Sequence, residues 1–413
     1  MRANRYIGSP VERLEDRRFL RGRGTYVGDL SRPGLLHAVI LRSAHAHGHI
    51  RSIDTAAALV VPGVHTVITA ADIGCPVPRI PIRLQPLPSL VPYHQPVIAE
   101  GKVRYVGEPI AVVLADSAAI AEDALDAIRL DIEPLRPVVD RHEAAGGGAL
   151  LSEETGTNLV IKYTVANGDP GSVWGRADYV RRERFAAQRH TAVMMEPRGV
   201  LAEWDAANNR LTVFGASKVA FFNRRILAAQ LGLAEEAIDM VENDVGGGFG
   251  VRGEFYPEDF LIPYAARFAR RPVKWIEDRR EHLVSANHAR QAECELQIGC
   301  LYDGTILALQ GDVYVDVGAY NRTNGMVAAR NIAQFLSGPY RIPDIRVEAS
   351  LLLTNKTLVG TYRGPGRFEA DFFSRAALRH RRPRHRHRPR RIPPAQSFDS
   401  GGDALFGRDN HPL

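Results

Sequence analysis

The chain has 413 residues, 45% hydrophobic and 24% charged, an ordinary balance for a soluble globular protein long enough to form two or three domains. No run of about 18 apolar residues could span a bilayer, and the start, Met1 to Tyr6, lacks an apolar signal-peptide core, so a cytoplasmic protein without a membrane partner is expected. Cys75, Cys294 and Cys300 contain no Cys-x-x-Cys pair, which excludes a disulfide framework and a cysteine-ligated metal or iron–sulfur site on this chain. The net charge of +6 is local: residues 379–391 carry eight arginines and no acid, and without them the remainder is near −2, not the balance of a polyanion-binding body.

In chain order, Arg21 to Asp29 reads as a turn and a short strand, and Leu35 to Ser43 as a buried strand. His45, His47 and His49 follow at spacing two. With no carboxylate or cysteine partner they read as a solvated loop rather than a metal cluster. Val64 to Thr69 is a strand, a proline-rich connection occupies 76–96, and Val103 to Ala115 is one long strand or a strand pair. Asp116 or Ser117 caps a helix with Ala121, Ala124, Leu125 and Ile128 on one face, and Leu130 to Glu133 alternates as a strand. These elements predict a compact α+β domain over residues 20–135. A connection over 136–157, marked by Gly146 to Gly148, leads to a second domain over 158–377.

In the second domain Glu196 beside Arg198 reads as a structural ion pair. Leu211 to Phe214 is a strand; Gly215-Ala216-Ser217-Lys218 turns into a helix carrying Ile226, Leu227 and Leu231. A strand over 238–244 then enters Val245-Gly246-Gly247-Gly248-Phe249-Gly250-Val251-Arg252. Four glycines in five residues let the backbone take positive φ and offer amides, rather than side chains, to an anionic or sulfur-bearing ligand. The spelling is neither a P-loop, since Arg252 is followed by Gly253-Glu254, nor a dinucleotide fingerprint, since the glycines miss the Gly-x-Gly-x-x-Gly spacing. The segment 259–271 forms a helix with Phe260, Leu261, Tyr264, Ala265 and Phe268 inward. Strands 290–299 and 306–317 pair across a hairpin at Tyr302 to Thr305.

Five motifs occur in order: Arg104 to Pro109; Gln188-Arg189-His190 with Met195-Glu196-Pro197-Arg198; Val245 to Gly250; Gly338 to Pro343; and Thr361-Tyr362-Arg363-Gly364-Pro365-Gly366-Arg367. Together, across about residues 5–376, they resemble the molybdenum-binding large subunit of the xanthine dehydrogenase/aldehyde oxidase family, including relatives of the carbon monoxide dehydrogenase large chain. The resemblance implies an α/β hammerhead domain followed by the family's first molybdopterin-binding domain. It implies a molybdenum–molybdopterin cofactor, with the cytosine dinucleotide form among the options, bound by Gly247, Gly248, Phe249, Gly250, Lys218 and Arg363. Phe249 and Arg363 would lie near the metal, and Arg252, Glu254 and Pro365 would border the substrate. It further implies hydroxylation of aldehydes or N-heterocycles at a Mo-OH/Mo=S centre. Electrons would leave through a 2Fe-2S small subunit and a FAD-binding medium subunit.

Departures narrow the expectation. Lys218 stands where many members have glutamine, and its ammonium is a donor only. Gly253 follows Arg252 where purine-oxidising members have glutamate, which argues against xanthine. Gly364 follows Arg363 where the copper-containing carbon monoxide dehydrogenases need cysteine, which argues against a bridged copper and carbon monoxide. After the Arg367 helix, family members continue into a second cofactor domain with the catalytic glutamate, so no catalytic base is expected here and little activity from the chain alone. Residues 378–413 instead read as an Arg/His/Pro low-complexity tail, best explained by a reading-frame slip in a GC-rich gene, which resequencing of codons 374 to 380 would reveal. Two other classes are compatible with the chain: a non-catalytic, chaperone-like homologue, and a nucleic-acid-binding protein acting through the tail, although nucleic acid is not the expected partner.

Overall fold

The computed structural model describes residues 7–84, 86–147 and 149–379; residues 378–379 of the predicted tail belong to the helix Arg367–Arg379, and the remainder from 380, with the nucleic-acid reading and the end of the frame-slip window, lies outside the described residues. In the first part, β1 (Leu36–Arg42), β2 (Gly48–Asp54), β3 (Val64–Thr69), β4 (Lys102–Val103) and β5 (Pro109–Ala115) precede α1 (Ala118–Asp126) and β6 (Arg129–Pro134). All seven residues of β5 are buried, because it lies between β1 and β3 with both faces covered, which is why it reads as an unbroken apolar run. Ser117 caps α1 by accepting from the Ile120 amide at 3.2 Å. Of the two readings of 103–115 the strand pair holds, with the two strands in different sheets. They are separated at Gly107, whose φ of +103° and approach to the Val284 carbonyl leave no room for a Cβ.

The second part contains β7 (Leu159–Asn167), β8 (Tyr179–Ala187), β9 (Gly199–Asp205), β10 (Arg210–Gly215), α2 (Ala220–Leu231), β11 (Ile238–Val241), α3 (Pro257–Ala269) and β12 (Val273–Ile276). It continues with β13 (Ala292–Cys300), β14 (Ile306–Gly318), α4 (Val327–Phe335), β15 (Asp344–Leu353) and α5 (Arg367–Arg379). A seven-stranded sheet has the order β11-β10-β9-β12-β1-β5-β3, a five-stranded sheet the order β8-β13-β14-β15-β7, and a small sheet the order β4-β2-β6. The larger sheet therefore crosses the predicted domain boundary: β1 pairs in parallel with β12, and the Leu36 amide donates to the Pro272 carbonyl at 2.8 Å.

Two cores follow. One lies between the seven-stranded sheet and helices α2 and α3, the other between the five-stranded sheet and α4 and α5. In α5 the buried residues Glu369, Ala370, Phe373, Ser374 and Ala377 share one helical face. In α3, Phe260, Leu261 and Ala265 are buried as predicted, but Phe268 is 48% exposed and Tyr264 is half-buried, because the aromatic row Phe260–Tyr264–Phe268 runs along the helix edge and out of the core.

Three further expectations are corrected. The 136–157 connection is packed rather than linker-like, with Val138 and Leu151 fully buried and Arg141 bonded to Glu293 at 2.5 Å. His47 is buried against the Arg136 carbonyl, while His45 is exposed, so the three histidines are not one solvated loop. Glu196 does not pair with Arg198. That arginine is buried between Glu258 at 3.1 Å and Glu277 at 2.5 Å, and Glu258 also meets Arg42 of β1.

Candidate functional site

The strand–loop–helix path from β11 to α3 carries the glycine segment past an open cavity of about 540 Å³, within the size range of small-molecule sites. Its wall includes Gly248, Phe249, Gly250 and Arg252 from that segment, Ser217 and Lys218 from the β10–α2 turn, Glu242 and Val245, and Thr361, Arg363, Gly364 and Pro365 from the chain entering α5. Three stretches distant in sequence thus meet at one place. Of the predicted residues, Lys218, Gly248, Phe249, Gly250, Arg252, Arg363 and Pro365 line the cavity. Gly247 and Glu254 do not.

The hydrogen bonding of the loop is one-sided. Its carbonyls are all engaged: Gly246 accepts from the Glu196 amide at 3.1 Å, Gly247 from Arg252 Nε at 2.7 Å, Gly248 from the Val251 amide at 2.9 Å, Phe249 from the Arg363 amide at 2.7 Å and Gly250 from the Gly253 amide at 2.9 Å. The successive amides of Gly247, Gly248, Phe249 and Gly250 donate to no protein acceptor among the described residues. Phe249 sits at φ +48°, uncommon for a bulky residue, and is 49% exposed. Gly250 sits at φ +109°, and a Cβ there would lie 2.9 Å from the Thr361 carbonyl oxygen. The motif therefore needs glycine at this close approach.

Glu254 is only 2% exposed. It accepts from the Thr361 amide at 3.0 Å and from Asn324 through the amide at 3.2 Å and Nδ2 at 3.1 Å, and its burial raises the carboxyl pKa above the ordinary range. It ties the end of the glycine segment to the Arg363 segment instead of facing a substrate. Arg252 touches the cavity wall, but its guanidinium turns back to Gly247, Glu196 and Pro197. The Arg363 segment is held by Arg290, which donates to the Arg363 and Gly364 carbonyls at 2.5 and 3.2 Å and pairs with Glu369, and by Asn331, which donates to the Pro365 carbonyl at 2.8 Å.

The side chains of Lys218 and Arg363 are exposed and have no protein partner among the described residues. The wall is thus rich in donors, from the amides of Gly248, Phe249 and Gly250 and the two cations, none with a protein partner among the described residues, against the single carboxylate of Glu242. Such a set suits a polyoxygenated anionic group, so the residues present fit a molybdopterin-type cofactor. No cysteine borders the cavity. Cys294 and Cys300 are buried in β13 and Cys75 is exposed elsewhere, and a Cβ at Gly364 would meet open space. Sequence reasoning missed Glu242 and Ser217, which carried no signal beyond flanking the motifs. It also missed the bracing roles of Glu196 and Arg290, whose partners lie 50 and 73 residues away.

Comparison with known proteins agrees with this geometry. The molybdopterin cofactor-binding domain matches residues 151–380, and the aldehyde oxidase and xanthine dehydrogenase a/b hammerhead domain matches residues 21–136. The 6-hydroxypseudooxynicotine dehydrogenase complex subunit gamma of Paenarthrobacter nicotinovorans is 38% identical over 376 residues, covering 89% of this chain and 46% of that relative. The carbon monoxide dehydrogenase large chain of Afipia carboxidovorans is 30% identical, over 86% of this chain and 45% of its own length. In three dimensions, quinoline 2-oxidoreductase from Pseudomonas putida 86 superposes with a TM-score of 0.83 at 34% identity, over 91% of this chain and 50% of that one. The chain spans about half the length of these relatives. With both domains matched and the glycine and Arg363 segments brought to one cavity, the chain belongs to the molybdopterin-binding large subunits of the aldehyde oxidase/xanthine dehydrogenase family.

Proposed function

We infer that this chain holds part of a molybdenum–molybdopterin cofactor in the cavity beside Phe249 and contributes to hydroxylation of an aldehyde or an N-heterocycle within a larger assembly. The observation that carries this reading is the run of four amides without a protein acceptor among the described residues, in a loop whose carbonyls from 246 to 250 are all engaged. Preorganised main-chain donors need no reorganisation when negative charge builds up in front of them. When bound, the cofactor supplies the two-electron oxidation and the oxygen transfer. The amides of 247–250 and Lys218 would hold its anionic oxygens, and Arg363 would make charge-assisted hydrogen bonds to an anionic substrate atom. Phe249 would offer an apolar wall to a planar substrate.

The glycine at 364 and the absence of sulfur from the wall argue against a copper-bridged centre and carbon monoxide as substrate. Burial of Glu254 away from the cavity leaves no carboxylate from the loop to bind a purine. The cytosine dinucleotide form of the cofactor, and 2Fe-2S and FAD on partner subunits, belong to the same reading. It is supported by a chain with three cysteines, none in a Cys-x-x-Cys pair, and by relatives that include a complex subunit and a large chain. The test is expression in a host that makes the cofactor, followed by metal and pterin analysis of the purified chain. Stoichiometric molybdenum that falls several-fold in Lys218→Ala and Arg363→Ala supports the reading, and a metal-free wild-type chain contradicts it.

A further inference from the structure

The glycine segment has four successive amides without a protein acceptor among the described residues, and peptide planes of a glycine loop are free to turn unless their carbonyls are held. Two side chains oppose that rotation from behind the cavity. Glu196 Oε2 accepts from the Gly246 amide at 2.7 Å and from Arg252 Nη2 at 2.8 Å, while the Glu196 amide donates to the Gly246 carbonyl at 3.1 Å. Arg252 returns across the loop to the Gly247 carbonyl at 2.7 Å and to the Glu196 and Pro197 carbonyls at 2.8 and 3.2 Å. The Arg252 side chain is 5% exposed and that of Glu196 17%. The fit is close, because a Cβ on Gly246 would lie 2.4 Å from Glu196 Cβ.

We propose that Glu196 and Arg252 are positioning residues: a carboxylate–guanidinium clasp that fixes both ends of the Gly246 peptide and the Gly247 carbonyl, and thereby holds the amides of 247–250 free for a ligand. The hydrogen bonds of the clasp run to the loop and within the pair rather than into the cavity, although Arg252 borders it. It acts by occupying the carbonyls at the start of the loop, so that the peptide planes cannot turn inward. Geometry is what matters here. A guanidinium reaches the Gly247 carbonyl through Nε and the Glu196 carboxylate through Nη2 in one rigid plane, whereas the single ammonium of a lysine is a point charge that cannot reproduce that spacing, and a glutamine at 196 would keep the acceptor for Gly246 but lose the ionic half.

The test uses the full chain in four forms: wild type, Arg252→Lys, Glu196→Gln and Glu196→Ala. Hydrogen–deuterium exchange is read on peptides spanning 242–254, and molybdenum content is measured after expression in a cofactor-making host. In Arg252→Lys and Glu196→Gln the amides that are bonded in the wild type, those of Gly246, Val251 and Gly253, are expected to exchange about tenfold faster, with the rest of the chain unchanged, and molybdenum retention to fall roughly tenfold, the usual scale for losing an outer support of a metal site. Glu196→Ala shows the larger effect, and if it fails to fold, the two conservative variants carry the test. Wild-type exchange in both conservative variants overturns the clasp, as does a uniform rise across the whole chain, which would mark a merely structural pair. Loss of molybdenum without a change in exchange also overturns it. The molybdenum arm rests on the functional reading above and the exchange arm does not: a wild-type chain that takes up no metal removes that reading while the exchange comparison still decides the clasp.

Discussion

Arg363 and Gly250 show how much of the candidate site rests on single residues. Arg363 presents its guanidinium to the cavity only because its own amide is bonded to Phe249 and its carbonyl to Arg290, so main chain and side chain serve different purposes. Replacing Arg290 with methionine should leave Arg363 in place in sequence but loosen its segment. Breaking a buried ion pair with Glu369 while freeing two carbonyls should cost about 3–5 kcal/mol, measured by urea unfolding; a loss below about 1 kcal/mol would show that the segment is held by other means. Gly250→Ala is expected to cost about 1–3 kcal/mol from its backbone angle alone, with crowding against Thr361 added. Gly364→Ala, at a similar sign of φ but facing open space, should cost less. Equal losses in the two variants would mean that the close approach to Thr361 does not matter.

At the level of elements, the pairing of β1 with β12 is the feature that joins the two halves. The strand nearest the start of the fold lies inside a sheet with β5 and β3 on one side and four strands from residues 199 to 276 on the other, and Arg42 at its end reaches Glu258 and Glu281. Leu36 is fully buried at this junction, and Leu36→Ala should cost about 2–5 kcal/mol. Because the sheet is continuous, tryptophan fluorescence, with Trp275 of β12 buried beside the junction, should shift by the same amount as the far-UV dichroism of the whole chain. Two separated transitions would show that the halves unfold independently in spite of the shared sheet. The β13–β14 hairpin was legible beforehand, since alternation and an Asp-Gly turn act locally. The parallel crossovers β10–α2–β11 and β14–α4–β15 were not, because strand order depends on contacts that periodicity does not encode.

For the whole molecule, buried titratable groups set the response to acid. Burial holds His94 and His288 down to about 4, whereas in the unfolded chain a histidine titrates near 6.5. The unfolded state therefore binds more protons between those values, and stability is lost as pH falls through that window. Arg141 beside Glu293 holds that carboxyl down to about 2, so its contribution is present above the unfolded carboxyl range and is lost as pH falls below it. Asp259 works in the opposite sense: burial lifts it to about 6, and its cost to the fold grows as pH rises from about 4 to 6. The histidine part of the response is separable: His288→Gln should make the urea midpoint fall less, or rise more, between pH 7 and pH 5 than in the wild type. An unchanged slope in the variant would assign the acid sensitivity elsewhere. Among the described residues no helix is long and apolar enough to cross a membrane. What the amino-acid order determined by itself was local or carried by motif: the glycine segment with its peculiar backbone needs, the capped helix α1, the buried strands, and through five ordered motifs the family and its two domains. Only the tertiary structure decided that Glu254 leaves the cavity, that Glu196 serves Arg252 and not Arg198, and that one sheet runs through both domains. Those outcomes depend on which distant groups can satisfy a buried charge or an unpaired strand edge, and adjacency in sequence says nothing about that.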